Sequence, residues 1–172
     1  SDIAMGLSNI AVVHKEMGNL KPALENNLKA LEIWERIKNN KGISLSTTNI
    51  ANLYDKLKQY NNAIKYYNRA LAIDEKMGDK ASVALSLNNI AGHYLETGKS
   101  QQALEYSLKA LRISKEINSI INLKDCYYNL SAIFKVLENY KEAYINHQLY
   151  VKLKDSLFST EGSKQIAEMQ TK

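Results

Sequence analysis

The side chains able to do chemistry in this 172-residue chain are few and scattered. His14, His93, His147 and Cys126 are its soft metal ligands, and no two of them stand at the short spacing of a zinc site, so no metal is expected. A glycine-rich phosphate loop is absent, and no serine, histidine and acid set has motif support. Carboxylates such as Glu16, Asp55 and Glu96 fall near the ends of expected helices, where solvated surface is the default. Without any motif that carries a mechanism, neither catalysis nor a cofactor is expected. His14 takes the place of a ring residue that recurs as Tyr54, Tyr94 and Phe134, and His147 takes the place of Tyr67, so both read as packing side chains.

The amides are more informative. Asn9, Asn49, Asn89 and Asn129 stand forty residues apart, opening Asn-Ile-Ala in three cases and Asn129-Leu130-Ser131 in the fourth. Ala23-Leu24, Ala63-Ile64, Ala103-Leu104 and Ala143-Tyr144 repeat with the same spacing, followed by Ala30-Leu31, Ala70-Leu71, Ala110-Leu111 and Tyr150-Val151. Self-similarity at a fixed period predicts stacked units, none of which can bury its apolar side alone.

Each unit should be two helices. In the second, Leu45, Ile50, Ala51, Leu53, Tyr54 and Leu57 recur at helical spacing, and after Gln59 to Asn62 the pattern resumes with Ala63, Ile64, Tyr67, Ala70, Leu71 and Ile73. First helices are expected near 2–17, 42–57, 82–97 and 121–137, and second helices near 21–38, 61–77, 101–117 and 141–157. Gly18 and Gly98 suit the left-handed residue past a helix end, and Pro22 suits a first helical turn, where no N–H is needed. Ala11, Ala51, Ala91 and Ser131 should face Ala23, Ala63, Ala103 and Ala143, letting paired backbones approach closely. Stability is then a sum over successive interfaces.

Composition excludes other classes. Apolar residues make up 45% and charged residues 24%, as in ordinary globular chains. The net charge of +5 is spread as lysines interleaved with glutamates, as at Lys15-Glu16 and Lys141-Glu142, so no nucleic-acid partner is expected. A single cysteine cannot form an internal disulfide. Apolar runs are too short for a membrane span, Ser1 to Lys21 lacks the pattern of a signal peptide, and no membrane contact by this segment is expected. Asp2 occupies the place of Gly42 one unit on, so the chain reads as a piece excised within the repeat register.

Asn-Ile-Ala, a ring residue three further on, then Gly, Ala-Leu and Ala-Leu again resembles the tetratricopeptide repeat over residues 3 to about 157. The resemblance implies an all-α fold, a right-handed superhelical α-solenoid of four helix-turn-helix units at 1–40, 41–80, 81–120 and 121–158, with a C-terminal helix after them. Two departures stand out: the period is forty rather than the family's usual thirty-four, and Glu35, Glu75 and Lys115 replace the proline that commonly closes the second helix, so second helices should be longer. The fourth unit drifts, with Glu138 for Gly, Tyr144 for Leu and Tyr150 for Ala. Beyond it, residues 159–172 read as the start of a separate helix from Lys164, either a connector or a cap.

In this family first helices line the concave side, which implies a groove presenting Thr48, Asn49, Asn52, Asp55, Asn88, Asn89 and Tyr128. A primary amide both donates and accepts, so an asparagine row can pair with the peptide groups of a bound segment. Asn9 and Asn129 read instead as bonding between neighbouring helices. The lysines and arginines of a carboxylate clamp are missing, their places held by Thr48, Leu85 and Asp125, with basic residues only at the rim as Lys15, Lys56 and Lys135.

The long repeat resembles arrays of bacterial signalling proteins. The expected role is a non-catalytic region that binds a protein or peptide in its groove, as the sensor part of a two-component histidine kinase or related regulator. A free-standing scaffold and a peptide-pheromone regulator are the alternatives. Dimerisation through the downstream helix is compatible with the first reading. The kinase resemblance implies a periplasmic array, whereas the repeats alone would suit the cytoplasm.

Overall fold

The computed structural model describes residues 1–170, with side chains described to Ser159. Eight helices follow one another, and no strand occurs among the described residues: α1 (Asp2–Glu16), α2 (Leu20–Arg36), α3 (Asn40–Lys56), α4 (Tyr60–Met77), α5 (Lys80–Glu96), α6 (Ser100–Glu116), α7 (Ile120–Val136) and α8 (Tyr140–Gln170). Each helix packs on its neighbours in sequence, and α5 also meets α7. This is an α-solenoid of four hairpins, with the expected small residues at its seams. Ala11, Ala51 and Ala91 are buried, as are Ala23, Ala63, Ala103 and Ala143.

A second cadence runs inside the forty-residue period. Gly18, Lys38, Lys58, Gly78, Gly98, Asn118 and Glu138 all have positive φ, one every twenty residues. Every helix from α1 to α7 therefore ends against a left-handed residue, whether or not that residue is glycine. The second helices α2, α4 and α6, of 17, 18 and 17 residues, match the 17 residues of the first helices α3, α5 and α7 to within one residue, so each half of a unit takes a nearly equal share of the period. At turns between units the next helix is capped by a side chain: Asn39 accepts from Gly42 N–H, Asp79 from Ala81 and Ser82 N–H, and Ser119 from Asn122 N–H.

Interfaces between units mix apolar packing with buried hydrogen bonds. Trp34 of α2 lies in a core cluster with Ala4, Ala30, Leu31, Ile43 and Ile50. Gly42 at the start of α3 makes room for the indole, since a Cβ there would stand 2.3 Å from Trp34 Cδ2. One unit on, at the register of Trp34, the buried Asp74 of α4 accepts from Ser44 Oγ of α3 at 2.5 Å and from Ser86 Oγ of α5 at 2.6 Å. Another unit on, Ser114 of α6 stands 3.7 Å from Cys126 Sγ of α7. One register thus serves the inter-unit contact three times with different chemistry.

Two sequence expectations need correction. No separate helix begins at Lys164, because α8 runs unbroken from Tyr140 to Gln170. Ser159 to Ser163 carries no proline, and a helix already formed extends at one hydrogen bond per added residue, so polar composition alone did not end it. His147 is exposed rather than packed, its ring 6.0 Å from that of Tyr150. Tyr67, at the same register, is covered by the following hairpin, and among the described residues none follows α8.

Candidate functional site

The concave side carries an open cleft of about 460 Å³, lined chiefly by α3, α5 and α7. Of the residues expected to form a groove, Asn52, Asp55, Asn88, Asn89 and Tyr128 converge here, with Asn129, Gly92 and His93 beside them. Asn49 lies instead in a small recess with Val12, Lys15 and Asn27, and Thr48 in a separate apolar cleft with Leu45 and Leu85. Asn52 also borders that recess, one helical turn further along the same face of α3. Thr48 lies one turn nearer the start of α3.

The amides divide by duty. Asn129 Nδ2 donates to the Asn88 carbonyl at 2.9 Å, tying α7 to α5 as expected of a structural asparagine. Asn9 is exposed. Asn52 Oδ1 accepts from the Tyr67 hydroxyl at 2.6 Å, so it positions a ring as well as lining the cleft. Asn89 has no side-chain hydrogen-bond partner among the described residues, and the buried Oδ1 of Asn88 has none either. Tyr128 is 57% exposed, with its ring beside that of Tyr150.

Below the cleft lies a buried histidine–aspartate hydrogen bond that residue-by-residue reading missed. Asp55 was expected on solvated surface, yet both it and His93 are buried, with His93 Nδ1 2.7 Å from Asp55 Oδ1. Rings of Tyr60, Tyr67 and Tyr94 surround the imidazole at 5.6 to 6.1 Å between centroids. Burial, and then the Asp55 carboxylate, pushes the Tyr67 phenol far up, so it remains a neutral donor. Register held the signal. His93 stands where the other units have Val13, Leu53 and Ile133, and a lone polar residue at a core position needs a partner from the adjacent first helix.

Tetratricopeptide-repeat family models match residues 2–76 and 83–120. The chain belongs to the tetratricopeptide-repeat family. As a member of it, the chain is a repeat scaffold of the protein-binding kind. No curated protein sequence matches it significantly.

Solved structures share the tetratricopeptide fold at low identity. Aspartyl phosphate phosphatase F from Bacillus subtilis is similar with a TM-score of 0.81 at 19% identity, over 90% of this chain and 40% of that one. A Rap protein complexed with competence and sporulation factor also gives 0.81, at 17% identity, over 94% of this chain and 47% of that one. BtubC from P. vanneervenii gives 0.76 at 20% identity, over 90% and 64% respectively. This tetratricopeptide array thus spans less than two thirds of each of these three proteins.

Proposed function

We propose that the concave cleft binds a peptide segment, and that the array is the ligand-responsive part of a larger signalling protein of the peptide-regulated kind. The carrying observation is the pair Asn88 and Asn89, whose amides retain unused hydrogen-bonding capacity in a cleft of about 460 Å³. Such amides can pair with a peptide backbone while leaving its side chains unspecified. The Rap protein of the same fold complexed with competence and sporulation factor supports the reading.

Asn89→Ala is the cleanest probe, because Asn89 holds nothing else in place. On an array of immobilised random hexapeptides, the wild-type chain should bind a subset that Asn89→Ala loses, with helicity by circular dichroism unchanged. Wild-type binding no higher than to blank spots would remove the basis for the proposal.

A second reading has its own observation. α8 continues to Gln170 without a break, as a rigid connector to an output domain, such as that of a sensor histidine kinase, would require. In that reading a ligand alters the pitch of the superhelix and α8 transmits the change. A downstream coding sequence without an output domain would sink it and favour the free-standing scaffold.

A further inference from the structure

The cleft has an electrical direction. Lys15 and Lys56 line it on the side of α1 and α3, while Glu96 and Asp125 line it on the side of α5 and α7. Among the described residues Glu96 has no ion-pair partner, whereas Asp125 holds its chain neighbour Lys124 at 3.0 Å. Asp55 is already engaged by His93. Independently of these carboxylates, Asn88 lines the cleft at 7% exposure, and its Oδ1 is buried without a partner.

We infer that the α5–α7 end of this cleft receives a cationic group of the bound peptide, an arginine or lysine side chain or a free amino terminus, while the peptide's acidic end is directed towards Lys15 and Lys56. The inference rests on the peptide-binding reading and adds the ligand's charge and direction. Ionised carboxylates only accept, and so does the amide oxygen of Asn88, so this end asks for a group rich in N–H donors. A guanidinium or ammonium supplies several donors and a charge, and a nearby exposed aromatic ring, that of Tyr128, favours a cation over an anion. A carboxylate placed there would meet the like charge of the unpaired Glu96 and leave Asn88 Oδ1 unpaired.

The test uses the whole chain and three acetylated, amidated pentapeptides that differ only at the central residue, which is arginine, glutamine or glutamate. Backbone-amide NMR titration should show saturable shifts at Gly92 and Asn129, with the arginine peptide binding about tenfold tighter than the glutamate peptide, a preference that shrinks as salt is added. Glu96→Gln combined with Asp125→Asn should reduce that preference to about twofold at unchanged helicity. Equal affinity for all three peptides, a preference for glutamate, or an arginine preference that survives in the double variant would overturn the charge assignment and leave the peptide cleft standing. No shifts at the cleft with any peptide at millimolar concentration would overturn both.

Discussion

His93 Nδ1 lies 2.7 Å from Asp55 Oδ1, joining the first helices of the second and third units through a contact shielded from water. Removing one partner strands the other in a place where it cannot be solvated. Asp55→Ala or His93→Ala should each cost about 1–3 kcal/mol in chemical denaturation, the cost of leaving a buried polar group without its hydrogen bond. The array supplies its own apolar replacements, since Ile133 occupies the register of His93 and Leu95 that of Asp55. The double variant Asp55→Leu, His93→Ile should therefore recover most of the loss. A double variant as unstable as the sum of the singles would show that the pair is not the source.

Gly42 is fixed by Trp34. A methyl group at Gly42 would overlap the indole at 2.3 Å, and the buried ring has no free side to which it can retreat. Gly42→Ala should destabilise the chain by about 1–3 kcal/mol by overpacking. Trp34 is the only tryptophan, so its emission reports directly, and an unshifted spectrum at unchanged stability would contradict the packing.

Lys38, Lys58 and Glu138 hold the left-handed conformation that glycine holds at Gly18, Gly78 and Gly98. A side chain in that region costs about 1–2 kcal/mol, part of which glycine returns through its greater freedom when unfolded. Replacing each by Gly should raise stability by about 0.5–1 kcal/mol, and distant turns should add. Loss of stability at Lys58→Gly would mean that the lysine side chain contributes contacts larger than the strain.

These turns also mark where sequence stops being legible. The forty-residue period, the helix pairs and the alanine seams were readable because they repeat, and repetition separates a constraint from an accident. Lys38, Lys58 and Glu138 gave no such sign, since lysine and glutamate do not advertise positive φ; the spacing of the glycines carries it. Of the cleft, Asn52, Asp55, Asn88, Asn89 and Tyr128 were legible as a shared face, whereas Thr48 and Asn49 lie in other recesses because they stand about one turn nearer the start of α3, a distance along the helix that face periodicity does not show. Asp55 was misjudged as solvated because its partner lies 38 residues further on, across a packing interface that a single helix does not display.

Asp79 caps α5 by accepting from the Ser82 and Ala81 N–H groups, and Ser82 Oγ adds a third bond. The Ser82 backbone and hydroxyl bonds, in that order, lead in holding its carboxyl below the ordinary aspartate value. The folded chain thus binds that proton more weakly than the unfolded chain. The resulting stabilisation is complete above about pH 4 and is lost as pH falls through the lower folded value. Asp79→Ala should cost about 1 kcal/mol at neutral pH, and Asp79→Asn should keep the cap while removing this part of the acid dependence. Identical acid denaturation profiles for wild type and Asp79→Asn would refute it.

Burial pushes the Cys126 thiol up to about 11, against a smaller downward pull from Ser114. Almost no thiolate is then present at pH 8, and the sulfur is fully buried. Native protein should leave a disulfide reagent such as dithionitrobenzoate uncoloured at that pH, with one equivalent reacting on denaturation. Prompt reaction in the folded state would place Cys126 in a more open interface than the one between α6 and α7.

The even beat of left-handed corners sets the grain in which such an array can change size. Adding or deleting a whole hairpin keeps inner helices inside and every corner in step, so the hollow lengthens or shortens by one inner rod at a time. A change of half that length would exchange lining for outer wall from that point onward, presenting to a guest the faces meant for neighbours.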